Sequence, residues 1–127
     1  MISIAGLDHL VLTVIDPQRT AAFYQRVLGM QPVRFGGGRL AVHFGQSKIN
    51  LHQAGDEIAP HAAQPTPGSA DLCLLTTSPI EDVVADLDAA GVRIEEGPVQ
   101  RTGAQGPITS VYIRDPDSNL IEIATQA

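Results

Sequence analysis

The chain carries one cysteine, Cys73, no tryptophan, and only 4% aromatic residues over its 127 positions. A single cysteine cannot close an intrachain disulfide, so the fold rests on packing and nothing points to an oxidising compartment. Basic runs are also missing. The 8 Lys and Arg stand singly against 14 Asp and Glu, for a net charge of −6. Such a surface repels a phosphate backbone or an anionic bilayer, which excludes nucleic acid and membrane as expected partners. No run of about 18 apolar residues is present to span a bilayer. Met1 to Gly6 lacks the basic stretch and apolar core of a signal peptide, so a cytoplasmic location is expected. A small molecule remains as the partner, and one arginine or a metal ion suffices to hold it if it is anionic. Few aromatics leave little to stack a catechol ring, which ranks ring cleavage below other chemistry.

What is present is an ordinary globular composition, 43% apolar and 17% charged, with one internal repeat. A shift of 62 positions lays Leu10, Leu12, Pro17 and Gly29 over Leu72, Leu74, Pro79 and Gly91 without a gap. Each half opens on a short run rich in Leu and β-branched residues, Leu7 to Val14 and Ala70 to Thr76, which favours strand. Asp16-Pro17 and Ser78-Pro79 then supply a side-chain cap and a proline that needs no donor in the first helical turn. Ile80, Val83, Val84, Leu87 and Ala90 form one apolar helical stripe, and Gly29 and Gly91 stand where helices end left-handed.

Three further strands are expected in each half. They fall near Pro32–Phe35, Arg39–Phe44 and Lys48–Gln53, then near Val92–Glu95, Ile108–Arg114 and Asn119–Thr125. Residues 97–106 read as an inserted loop of the second half, with Arg101 as an anion clamp over a pocket. The expectation is a single α+β domain of two tandem βαβββ modules. They would form a curved mixed sheet around a cleft, with helices on the outer face. Module 1 spans about 5–53, a Pro- and Gly-rich linker 54–68, and module 2 about 69–126.

Strand alternation puts Leu10, Leu12 and Val14, Ile49 and Leu51, and Ile121 and Ile123 under the helices. His9, Asn50, His52, Asp71, Cys73 and Glu122 then share the other face with Val, Leu and Ala. A carboxylate such as Glu122 in half-dry surroundings is costly unless paired or bound to a cation. Two imidazoles and a carboxylate suit a divalent transition ion, so His9, His52 and Glu122 are the candidate ligands. Nickel, zinc, manganese and iron all remain open. Glu122 and Asp71 are the candidate catalytic carboxylates, with Arg101 and Asn50 as candidate substrate contacts. His43, without a counterpart in the repeat, and His61, in the linker, read as structural or exposed.

The segments LDHLVLTVIDPQRTAAFYQRVLGM and YIRDPDSNLIEI resemble the vicinal oxygen chelate superfamily of glyoxalases, extradiol dioxygenases and bleomycin-resistance proteins. The likeness runs over nearly the whole chain, and the middle is similar to its small glyoxalase-domain branch. It implies His9 as the first metal ligand and Glu122 as the last. Asp71 stands where glyoxalases and extradiol enzymes carry histidine, and Asn50 where glyoxalases carry glutamate, so a proton-shuttling carboxylate is missing there and His52 becomes the second imidazole. The implied activity is a metal-dependent lyase or isomerase acting on vicinal oxygens. An Fe(II) dioxygenase and a non-catalytic drug- or metabolite-binding protein are the alternatives. A homodimer is also implied.

Overall fold

A computed structural model describes all residues, 1–127. In the first repeat, alternation makes β1 (His9–Val14), with Leu12 and Val14 fully turned inward. The chain then enters α1 (Pro17–Leu28) through Asp16, whose carboxylate accepts from the N–H groups of Gln18 and Arg19 at 3.0 and 3.2 Å. Two orphan donors are thereby satisfied, and Pro17 at the first position removes a third. Gly29 closes the helix at φ 68°, a left-handed conformation that costs a residue without Cβ little. β2 (Gln31–Phe35), β3 (Arg39–Phe44) and β4 (Ser47–Gln53) follow as an antiparallel meander. β4 then lies parallel to β1, giving the order β1-β4-β3-β2.

The second repeat builds the same unit from β5 (Asp71–Leu75), α2 (Ile80–Ala89), β6 (Glu96–Gly103), β7 (Gly106–Arg114) and β8 (Leu120–Gln126). Its order, β5-β8-β7-β6, repeats the first, again with one parallel pair. The expected α+β architecture of paired βαβββ modules is therefore what the chain forms, as two compact units, Met1–Pro67 and Gly68–Ala127. Within unit 1, α1 covers β2, β3 and β4 and buries Tyr24, Val42 and Ile49; within unit 2, α2 lies on β7.

Three local expectations are corrected. Ser78 does not cap α2. Pro79 takes that place in an extended conformation with no side-chain bond, while Glu81 and Asp82 supply negative charge to the first turn. The strand placed at Val92–Glu95 lies instead at β6, and residues 97–106 are not a loop but most of a β-hairpin. β6 is an edge strand with polar residues on both faces, so it has no apolar alternation to betray it. Its register shifts between Glu96 and Val99, where Gly97 sits at φ 108°. A Cβ at Gly97 would stand 2.4 Å from the Ser110 carbonyl, so only glycine fits this approach of two backbones.

The β7–β8 turn is held by side chains. Asp115 Oδ1 accepts from the N–H groups of Asp117 and Asn119, and Oδ2 accepts from Asn119 Nδ2 at 2.9 Å. Asn119 Oδ1 in turn accepts from Ala70 N–H at 2.9 Å, which pins the entry to β5.

Candidate functional site

In unit 1, the face away from α1 is set by register. His9 pairs with Lys48, Val11 with Asn50 and Thr13 with His52 across β1 and β4, and Ala41 and His43 stand opposite Asn50 and Lys48 on β3. Asn50 and His52 are only 4% and 5% exposed although they point away from the helix. Asn50 Oδ1 and both ring nitrogens of His52 are buried with no hydrogen-bond partner. Buried polar atoms are ordinarily matched by protein, water or a ligand, so this stretch of β4 is a candidate contact surface. Burial, seconded by the Arg39 charge, pushes the His52 imidazole below its ordinary pKa, so it is held neutral, as a ligand or a hydrogen-bonding group at neutral pH must be.

His9 is half-exposed, and its Nδ1 lies 2.7 Å from Asp8 Oδ2. A carboxylate on Nδ1 favours the tautomer with the proton there and the lone pair on Nε2, the arrangement of metal-binding histidines. The expected ligands are nonetheless not gathered within unit 1. His52 lies four residues of register beyond His9, about 13 Å of strand. Side chains standing off a sheet do not close that gap around one ion. Asn50, by contrast, is one side-chain step from His9 on the same face.

Unit 2 repeats the arrangement. Cys73 pairs with Glu122 across β5 and β8, Tyr112 stands opposite Glu122 on β7, and Asp71 is one step away along β5. Glu122 is partly buried, and Ser110 Oγ donates to its Oε2 at 2.6 Å, which orients the carboxylate. Asp71 is exposed at the start of β5, where its charge is felt by Arg114. In neither unit do three or more His, Cys, Asp or Glu groups meet around a cation-sized space.

Desolvation, then the Glu122 charge and its hydrogen bond, push the Cys73 thiol up to about 11. The thiol therefore stays protonated although it is exposed. In metal-free protein, alkylation of Cys73 by iodoacetamide at pH 8 is expected to run about 100-fold slower than for an ordinary thiol. Its rate should climb with pH to about 11, and Glu122→Gln should accelerate it. A plateau reached below pH 9.5 would refute this.

Arg101 lies on β6 rather than in a loop, and its donors are already engaged. Nε donates to Tyr112 Oη at 3.0 Å, Nη1 to the Gln100 carbonyl at 3.1 Å, and Nη2 to Glu96. The cation that sequence reasoning passed over is Arg39. Its guanidinium lies 4.7 Å from the centre of the Phe35 ring, makes no ion pair, and has a buried Nε without a partner. The signal was present in the antiparallel step from β4 to β3, which puts Arg39 on the same face as Ala41, Asn50 and His52. His43 is exposed, as expected, and His61 bonds the Ala62 carbonyl while bordering a small cavity with His52.

Charge is divided unevenly between the repeats. Unit 1 holds five Lys and Arg with four Asp and Glu, net +1; unit 2 holds three and ten, net −7. The half-dry face carrying His52 thus sits in the cationic half of an acidic protein.

A profile of the Glyoxalase/Bleomycin resistance protein/Dioxygenase superfamily matches residues 6–123. The chain belongs to that superfamily. It is 58% identical over 118 residues to virulence protein STM3117 of Salmonella typhimurium, covering 93% of this chain and 82% of the relative. The crystal structure of the Salmonella protein superposes with a TM-score of 0.98 over 99% of this chain and 100% of that one, at 56% identity. A glyoxalase domain-containing protein of Mycosarcoma maydis, RDO1, is 52% identical over 124 residues, 98% of this chain and 70% of its own length. Two more distant solved structures share the fold. They are a lactoylglutathione lyase from Agrobacterium tumefaciens (21% identity over 96% of this chain and 94% of that one, TM-score 0.74) and the Streptomyces antibiotic-binding protein TnmS3 (22%, full coverage of both, TM-score 0.76). At that identity the likeness concerns the fold. No helix of the chain is long and apolar enough to cross a membrane.

Proposed function

We propose that the protein is a cytoplasmic, metal-dependent lyase or isomerase of the glyoxalase kind, acting on a small substrate with two adjacent oxygens. The observation that carries this reading is the orphaned, buried Asn50 and His52 on the strand face that also carries His9, whose ring lies against the Asp8 carboxylate. In kind, the donors fit a divalent transition ion such as nickel, zinc, manganese or iron. His9 Nε2 and the Glu122 carboxylate would hold it. Because the register separates His52 from His9, we assign His52 to the substrate rather than to the ion, revising the ligand set drawn from sequence alone.

When bound, the ion supplies Lewis acidity toward the paired substrate oxygens. The chain's own groups do the rest. His52, neutral and without other partners, offers a hydrogen bond to a substrate oxygen. Asp71, exposed and one step from Glu122, is the carboxylate free to take and return a proton, while Ser110 holds Glu122 to its role. Low aromatic content again places dioxygenase chemistry second. A metal-free drug- or metabolite-binding protein is the alternative of a different class.

Elemental analysis of tag-free protein separates these readings. Stoichiometric transition metal, lost in His9→Ala but retained in His52→Ala with activity abolished, is the expected pattern. Wild-type protein unable to take up metal would overturn it. The edge strands β1 and β5 expose Val11 at 44% and Leu75 at 62%, with Leu7 and Ile15 flanking β1 at 68% and 58%. Apolar surface of this extent on open sheet edges calls for cover, and a homodimer with twice the 13.4 kDa chain mass is expected by light scattering. A monomer at micromolar concentration would contradict it.

A further inference from the structure

We propose that Arg39 and His52 form a carboxylate-binding subsite in unit 1, so that the substrate carries an acid group besides its paired oxygens. A cavity of ≈ 500 Å³ opens at the ends of β3 and β4, and Arg39 and His52 are among the residues that line it, with a second arginine, Arg34. Arg39 spreads its guanidinium on Phe35 and keeps a buried Nε–H unmatched; His52 keeps two buried ring nitrogens unmatched. Both therefore have donors to give, and nothing in the chain accepts them. A second cation, the Lys48 ammonium, lies 3.9 Å from the centre of the same Phe35 ring. Arg39 and Lys48 thus bring two like charges to one ring, which an anion placed beside them would relieve, although Lys48 and Phe35 themselves do not line the cavity.

The acids that border the cavity do not serve. Asp16 is committed to the N–H groups that open α1; Glu57, whose charge reaches His52, holds the Gly55 N–H at 2.8 Å and makes no hydrogen bond to either residue of the subsite. Asp56 is exposed at the rim. Lys48 is felt by Asp8, which is itself bound to His9 and 90% exposed. Arginine presents a planar edge of N–H groups that matches a carboxylate better than a spherical anion, and its flat face is free to stay on the ring while the edge binds. The subsite as such needs no metal. Its assignment to the substrate rests on the lyase reading above.

The test uses the full chain stripped of metal with EDTA, so that failure of the metal reading leaves it intact. The ring nitrogens of His52 are followed by NMR while succinate, its neutral analogue succinamide, or inorganic phosphate is added. Succinate is expected to shift His52 and saturate, with succinamide without effect and phosphate weaker. Arg39→Met, which keeps the stem on Phe35, should weaken succinate about tenfold or more, and Arg39→Lys should recover only part of it. Equal binding of succinate and succinamide, stronger binding of phosphate, unchanged affinity in Arg39→Met, or no response of His52 would each overturn the proposal. The wild-type comparison stands even where a variant does not fold.

Discussion

Glu122→Ala is expected to lower affinity for the transition ion by about 100-fold or more and to abolish turnover. The magnitude follows from the chemistry of the position. A carboxylate on the inner strand β8, flanked by Tyr112 and Cys73 and oriented by the Ser110 hydroxyl, supplies the only full negative charge on that part of the face. Alanine removes the charge and leaves no substitute within reach, since Asp71 stands a step away and open to water. Ser110→Ala keeps the ligand but frees it to rotate, so a loss nearer tenfold is expected. Both variants should keep wild-type circular dichroism, because neither residue belongs to the apolar core beneath α2. Metal affinity by competition with a chromogenic chelator measures the series. Equal affinity in wild type and Glu122→Ala would remove Glu122 from the site.

Asn119→Ala is expected to be the most destabilising polar substitution in unit 2, at about 3 kcal/mol or on the order of 10 °C in Tm. Asn119 is 1% exposed and joins three segments at once through its bonds to Asp115 and to the Ala70 N–H. Truncation leaves the buried Asp115 carboxylate short of one donor and the Ala70 N–H without its acceptor, and buried unmatched groups cost more than the bonds themselves. Asn119→Asp should fare no better, because it sets one carboxylate against another. Urea unfolding reads the effect. A midpoint within experimental scatter of wild type, at unchanged slope, would show that the turn holds by backbone alone.

How far the sequence disclosed this arrangement depends on how each element is stabilised. β1, α1, β4 and β8 announce themselves because burial against one neighbour imposes a period, and Asp16-Pro17 and Gly29 mark helix ends by chemistry that works locally. β6 is invisible for the opposite reason. As an edge strand it gains order from backbone bonds to β7, so its side chains are free to be polar, and Val92 and Ile94 nearby gave a false alternation. The candidate face was legible residue by residue. His9, Asn50, His52, Asp71 and Glu122 all fall on the sides that alternation assigns. What alternation does not give is register, and register is what parts His52 from His9 and sets Asn50 beside it. Arg39 escaped because its significance lies in a missing partner, and sequence does not show which cations go unpaired.

The reading to be tested first is the proposal that His9 and Glu122 are ligands of a transition ion. Anomalous diffraction at the metal absorption edge, on crystals of the protein as purified, tests it most directly. The expected result is a single peak per chain at bonding distance, about 2.1 Å, from His9 Nε2 and a Glu122 oxygen, with His52 beyond reach of the ion. A peak bound elsewhere, or none in crystals soaked with nickel, zinc, manganese and iron in turn, would contradict the account.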